Sequence, residues 1–387
     1  MISIKNIYSL LLTVYILASL LIPLASFNKL IFVVLVLIYG GYILFIKKEK
    51  KFECLTFTMA PVIIIAIFSY GYVRAIFGET DMALARQFLL SVSIFALIYP
   101  INEFDVDMQK ILIVVAKIYI LFFGIYAIYA INIMDYDLPA FIENLAKLFD
   151  NAVTRTIGEK LEVLGGGWIS YRSFSGGMGM MIYLGSVSFL LVLISVLYID
   201  FFKTKKITNL VWIMLGVLLS FSAGQRAAML FIPLTLCVLT WLQLDRKAKL
   251  ISAIIICLLG ISIFVYLLNY SSFFSLEERS NSVKIGHVIS YFEQLNLQQA
   301  FLGDGLGSFY YTNYSPEEKR LLAQTEVTFL DHCRYFGIPL SVAVWGSMVI
   351  PKCTGFSTDW KNWKIWKMKE ELTILLIYFI SAQLNPV

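Results

Sequence analysis

Apolar runs separated by short charged loops set the plan of this chain. Runs long enough to cross about 30 Å of hydrocarbon fall at 8–25, 30–46, 55–73, 83–101 and 111–133. Others fall at 179–199, 207–221, 227–242, 250–270, 328–350 and 372–384. The pattern predicts an all-α fold, a polytopic membrane helix bundle of about eleven spans making one integral membrane domain over 1–387. Two longer, partly helical loops interrupt it, at about 134–178 and 271–327.

Lys and Arg divide the loops into two sets. Lys5, Lys110 and the basic residues within 47–51, 203–206, 246–249 and 352–369 belong to one side. The short loops of the other side carry only Lys29, Arg74 and Arg86. The positive-inside rule then puts the N-terminus in the cytoplasm and both long loops outside. Lys5 and its apolar run resemble a signal peptide, but a second span follows almost at once, which favours an uncleaved first helix.

The loops carry helix signals of their own. Leu138, Phe141, Ile142, Leu145, Leu148 and Phe149 recur at helical spacing and predict a helix flat in the outer interface. Ile285, Val288, Ile289, Phe292 and Leu295 predict an amphipathic helix lying on the bundle. Ser315-Pro316-Glu317-Glu318 has the form of a helix start, with Ser as cap and Pro in first position, and that helix should run through Glu326. Asp331, His332 and Arg334 follow one to two turns deeper, and Gly337-Ile338-Pro339 breaks or kinks the run. Trp360, Trp363 and Trp366 alternate with Lys361, Lys364 and Lys367, a pattern suited to an interfacial helix on anionic lipid.

Composition agrees with a membrane protein: 59% of residues are hydrophobic, 15% are charged, and mean hydropathy is +0.79. Two His and five scattered Cys argue against a built metal site and against a disulfide framework. The net charge of +5 does not suggest nucleic acid. Gly303-Asp304-Gly305-Leu306-Gly307 resembles a phosphate loop only superficially, because no Gly-Lys-Ser/Thr follows, so nucleotide binding is rejected.

The placing of Arg changes the picture. Arg246 alone lies in the cytoplasmic set, whereas Arg74, Arg86, Arg155, Arg172, Arg226, Arg279, Arg320 and Arg334 lie outside or in outward halves of spans. Topology needs charge, not guanidinium, and a planar fork suits phosphate or carboxylate. An outward anion site and a compositional bias both explain the asymmetry. Arg86 either snorkels or points to a ligand. Arg226, in the tight turn of 222–228 at the membrane edge, either meets a ligand or an acidic partner inside the bundle, the favoured reading, or simply snorkels. Arg279 follows two glutamates, so a local ion pair competes with a binding role. His287 interrupts the apolar stripe, as a buried polar residue or as a ligand.

Arg172 before a span, SAGQRAAML around Arg226, Arg279 heading the large loop, FLGDGLGSF and TEVTFLDHCRYFGIP follow one another between 172 and 339. In that order they resemble bacterial O-antigen polymerases (Wzy type) and the related O-antigen ligases. Arg155 and Gly166 also match an Arg-x10-Gly spacing found in some polymerases, although three consecutive glycines weaken the match. The resemblance implies a multi-pass protein of the bacterial inner membrane that transfers an undecaprenyl-diphosphate-linked glycan at the periplasmic face. It implies no cofactor, nucleotide sugar or metal. The partners it implies are the lipid-linked oligosaccharide, membrane lipid and a chain-length regulator protein, with no nucleic acid.

The catalytic set expected from residues and resemblance together is Arg172, Arg226 and Arg279 on the donor diphosphate, with Glu326 as general base. Arg155, Arg86, His287 and His332 are expected to bind substrate, and either His competes with Glu326 for the base. Ligases tend to have a His near the position of Glu326, which tilts this chain to polymerase. The alternatives are an O-antigen ligase acting on lipid A-core, and a lipid-linked oligosaccharide flippase. A flippase wants matching halves and a polar centre, and the sequence offers neither.

Overall fold

A chain in hydrocarbon finds no water for its N–H and C=O groups, so apolar runs satisfy them internally as helix. The computed structural model describes residues 4–21, 26–46, 55–133, 169–174, 177–182, 187–222, 226–244, 279–315, 318–325, 327–354 and 369–384. The chain opens with α1 (Ile4–Leu21), α2 (Ser26–Phe45), α3 (Leu55–Ile76), α4 (Met82–Val92), α5 (Ile98–Glu103) and α6 (Met108–Ile133). A hairpin of β1 (Ile169–Phe174) and β2 (Gly177–Ile182) precedes α7 (Leu190–Thr204), α8 (Ile207–Ser222) and α9 (Arg226–Gln243). Next come α10 (Arg279–Gln294), α11 (Leu297–Leu302), β3 (Tyr310–Ser315) and β4 (Glu318–Leu322). The last helices are α12 (Thr328–Phe336), α13 (Ile338–Thr354) and α14 (Lys369–Leu384).

Among the described residues four helical stretches are long and apolar enough to cross a membrane: Ile4–Leu21, Phe27–Phe45, Met82–Glu103 and Met108–Ile125. Shorter apolar helices cover Ala60–Ile76, Ile207–Ser220, Leu230–Gln243 and Ile338–Met348. The protein is therefore a helical membrane bundle. The run at 250–270 and the segment around 138–149 lie outside the described residues.

Polar contacts fix which helix ends lie together. Lys5 meets Asp105 at 3.3 Å, Lys203 reaches Gln109 at 3.3 Å, and Gln243 bonds Glu370. The starts of α1, α6 and α14 thus share one end of the bundle with the ends of α5, α7 and α9. Antiparallel succession brings the end of α3, the starts of α4, α7 and α9, and the end of α14 to the opposite end. Asp81 starts α4 there, accepting from the N–H groups of Ala83 and Leu84 at 3.0 and 3.1 Å.

Two apolar cores hold the helices. The larger centres on α6, whose Val115, Ala116, Tyr119, Ile120 and Phe123 are wholly buried, with α6 packed on α1, α7 and α8. The smaller joins Ile64, Ile67 and Phe68 of α3 and Ala85 and Val92 of α4 to Leu306, Tyr335, Phe336 and Val344.

Three expectations are corrected, and one expected break is found. The predicted span at 179–199 starts late, because Gly177 to Ile182 pairs antiparallel with Ile169 to Phe174 and helix begins only after a 3-10 turn at Val187–Phe189. Gly177 and Gly179 are poor helix residues and accept a hairpin. The predicted helix from Ser315 through Glu326 is the β3–β4 hairpin, with Ser315 opposite Glu318. Tyr310 and Thr312 are buried and Tyr311 is exposed, so the local period is two and the Ser-Pro signal marks a turn.

The run at 328–350 breaks where Gly337-Ile338-Pro339 is expected to break or kink it, giving two helices. They part at Gly337, whose φ of +81° ends α12, and α12 carries the buried Asp331 and Arg334. Last, the apolar stripe of α10 does not lie on the bundle. Val283, His287, Ser290 and Tyr291 are its buried residues, whereas Ile285, Val288, Ile289 and Phe292 are exposed. Helical period told where the stripe lies on α10, but not which side the protein would cover.

Candidate functional site

At the α3 end of the bundle, residues 303–309 thread between the ends of α3 and α12. Their backbone does the docking. Asp304 N–H donates to Arg334 O at 2.8 Å, Gly305 N–H to Tyr335 O at 3.0 Å and Leu306 N–H to Gly71 O at 3.0 Å. Asp81 N–H reaches Gly307 O at 2.8 Å, and Arg74 Nη2 donates to Gly303 O at 2.8 Å. Such close approach excludes side chains: a Cβ on Gly305, where φ is +98°, would come 2.6 Å from Ala75 N. The three glycines that suggested a phosphate loop are used to clasp helix ends.

A charged cluster lies directly against this clasp. Arg334 is buried, 3.3 Å from Asp331 Oδ1, and donates to Leu322 O at 3.4 Å and to Ala323 O. Its guanidinium carbon stands 4.1 Å from the Tyr310 ring centroid and 5.0 Å from that of Tyr335. Asp331 also accepts the Thr325 N–H at both oxygens, at 3.1 and 2.9 Å. Burial pushes its carboxyl up to about 6, although Arg334 and the Thr325 N–H pull the other way. These residues tie the strand β4 to α12, and Arg334 is committed to the fold.

Asp304 is the acid of this cluster that remains half-exposed. Burial raises its carboxyl above the usual range, opposed by Arg334, by hydrogen bonding from Gln299 and by Arg74. Near it, Arg74 Nε, Arg334 Nε and Tyr291 Oη are buried and make no hydrogen bond among the described residues. A carboxyl held by its own backbone among open donors can exchange a proton with a hydroxyl brought to it. The sequence reading passed over Asp304 because its glycine neighbours drew attention to phosphate. The available signal was an acid set between two glycines in a long loop.

The expected site residues are distributed as follows. Arg172 sits on β1 opposite Gly179, Arg226 is the first residue of α9, and Arg279 is the first residue of α10. Arg86 is exposed in the second turn of α4. Glu326 and Arg155 lie outside the described residues. On either side of Glu326, Thr325 and Val327 are fixed, Val327 N–H donating to Thr325 Oγ1 at 3.0 Å and Thr325 Oγ1 to Val327 O at 3.2 Å.

Both His are packed among neighbouring side chains, and His332 Nδ1 is buried with no hydrogen-bond partner among the described residues. His287 is 1% exposed and shares a 2.5 Å hydrogen bond with Thr312 Oγ1, and burial with the nearby Arg334 charge pushes it down to about 4. His332 packs among Phe68, Phe336 and Trp345, with ring centroids 5.8, 5.7 and 5.4 Å away, and burial lowers it to about 4.

Aromatic rings connect this region to the hairpin that bears Arg172. From His332 the row passes to Trp345, to Phe379 at 4.7 Å, to Tyr378 at 6.4 Å and to Phe189 at 5.5 Å. Phe189 stands just before α7, a few residues after β2, and β2 itself lies against α8. Thus the β1–β2 hairpin, the start of α9, α10, the clasp and α12 gather at one end of the bundle. Comparison with family models, curated proteins and solved structures gives no match.

Proposed function

We propose that this protein is a metal-independent glycosyltransferase that joins undecaprenyl-diphosphate-linked O-antigen repeat units at the periplasmic membrane face. An acceptor sugar hydroxyl attacks C1 of the lipid-linked donor glycan, the C1–O bond to the diphosphate breaks, and lipid diphosphate leaves. The observation that supports the reading most is the gathering of separate motif segments at one bundle end. Arg172, Arg226 and Arg279 begin or line three elements there, and the clasp and α12 complete the group.

Each residue type suits its part. A departing diphosphate needs forked cationic donors, which Arg supplies and Lys does not reproduce. The attacking hydroxyl benefits from a carboxylate base. Glu326 keeps that role, flanked by the fixed Thr325 and Val327, and Asp304 is the second acid to test. Arg74 and Arg334 are assigned to structure, since each spends its guanidinium on backbone carbonyls.

Gene deletion followed by electrophoresis of surface polysaccharide tests the reading. A single repeat unit on core is the expected product. Absence of any repeat on core would point to a ligase or a flippase instead. With purified protein in nanodiscs, Glu326→Gln should slow polymerisation roughly 10²–10⁴-fold while donor binding holds. Near-normal turnover in that variant, with loss in Asp304→Asn, would move the base to Asp304. Arg→Lys at 172, 226 or 279 should rescue poorly, and full activity of the Lys variants would leave only general electrostatics.

A further inference from the structure

We infer that the outer face of α10 and α11 is a lipid surface, embedded at head-group and upper-acyl depth beside the membrane-spanning helices. The inference does not depend on the chemistry proposed above. On α10, Val283, His287, Ser290 and Tyr291 are buried, and the helix packs on β3 and α12. At about 100° per residue, Ile285, Val288, Ile289 and Phe292 fall on the opposite arc. They are 42, 36, 47 and 64% exposed. The helix thus turns a mixed face of Val283, His287, Ser290 and Tyr291 to protein and sets four large apolar side chains on the face away from it. On α11, which buries no residue, Leu297, Phe301 and Leu302 are 80, 62 and 48% exposed.

The position of α11 names the occupant. Tyr70 of α3 donates to Leu302 O at 2.9 Å, and a Cβ on Gly337, just before α13, would come 2.5 Å from Phe301 O. Hence α11 lies across the ends of two apolar helices, α3 and α13. Both expose large apolar side chains at those ends: Val73 and Ile76 on α3, with Phe77 after it, and Ile338 and Val342 on α13. α11 packs on α12 and α13, so its exposed Leu297, Phe301 and Leu302 adjoin the apolar side chains at those helix ends. An apolar face of this extent does not stay in water. One continuous with lipid-facing helices meets the boundary between acyl chains and head groups, as amphipathic interfacial helices do. The arrangement also sets Asp304, two residues after α11, at the depth of lipid head groups.

Photo-crosslinking tests this. The full chain in phosphatidylcholine nanodiscs would carry p-benzoylphenylalanine in turn at Phe292, at Phe301 and at Lys319, an exposed position on β4. An aromatic replacing an exposed aromatic leaves the fold undisturbed, and thermal unfolding of each variant before irradiation checks it. The expected result is single-phospholipid adducts at 292 and 301 and none at 319. Links from 292 or 301 to another segment of this chain or to a second copy would overturn the inference. So would irradiated protein free of lipid at both positions.

Discussion

Around α6, helices meet through side chains alone, Tyr119, Ile120 and Phe123 filling the space between α1, α7 and α8. Around the C-terminal end of α3, outer in the sense of lying outside the large core, helices meet through backbone: five amide and guanidinium hydrogen bonds clasp residues 303–307, and a buried Asp331–Arg334 pair locks the strand beside them. The first kind of packing tolerates adjustment, because side-chain tips can move by tenths of an ångström. The second is closer to all-or-none, since neither a backbone contact nor a buried charge can be relaxed by degrees. A site that must hold a proton-exchanging acid in place gains from the rigid kind.

The sharpest way to break the comparison is Asp331→Ala, which strands the Arg334 charge in the interior and should cost about 3–5 kcal/mol. Thermal unfolding in micelles measures it. A loss below about 1 kcal/mol would mean that the pair is not what holds the outer assembly. Gly305→Ala should cost about 3 kcal/mol, combining the left-handed backbone with contact on Ala75 N. Protease sensitivity around 303–309 should rise in that variant while α6 stays protected.

Acid separates the two regions without mutation. The chain has two His, and both sit in the outer assembly. Unfolded, each would take up a proton near 6.5, whereas folded each does so only near 4. The unfolded state therefore binds more protons between these values, and stability falls as pH drops from 6.5 to 4. Asp331 acts oppositely: its folded carboxyl titrates near 6 against an ordinary 3.8, so acid favours its folded state over much of the same window. Asp304, raised by burial as well, acts in the same sense as Asp331, and the two His, each displaced from 6.5 to about 4, outweigh the two acids and leave a net loss. Hydrogen exchange of 303–336 should quicken on going from pH 7 to 4.5, with 111–123 unchanged, and equal quickening in both would refute the assignment.

The smallest effect is expected in the large core. A Cβ on Gly216 would lie 3.0 Å from Ile194 Cδ1 and 3.1 Å from Ile120 Cδ1, both ends of flexible side chains. Gly216→Ala should therefore change stability by no more than about 1 kcal/mol, in contrast to Gly305→Ala. If the two alanines cost the same, the contrast between side-chain and backbone packing fails.

The same contrast governs what could be read from the sequence. In α1, α2, α6, α8 and α9 the apolar run itself is the cause of the helix, so its limits could be read to within a few residues. The outer assembly depends on contacts distant in sequence. Ser315-Pro316 is compatible with a helix cap and with a hairpin turn, and burial of Tyr310 and Thr312 against neighbouring elements decides for the hairpin. On α10 the apolar stripe was visible, but the inward side is chosen by Thr312 accepting a partnership with His287. Asp304 shows in the sequence as an acid between two glycines, but its setting beside Arg74 and Arg334 comes from contacts distant in sequence.

The clasp also sets an order for biosynthesis. Tyr70 and Leu302 are 232 positions apart, and Arg74 and Gly303 are 229 apart. As the chain leaves the ribosome, α6, α7, α8 and α9 can pack while residue 303 is still unmade, because their partners are near neighbours. The outer end of α3 is synthesised early and completed late, waiting through most of translation for the strand that closes it. A truncation before 303 would leave the large core able to assemble and the outer end of α3 permanently open, a nascent state in which Gly71 and Arg74 offer their backbone and charge to whatever else the membrane surface supplies.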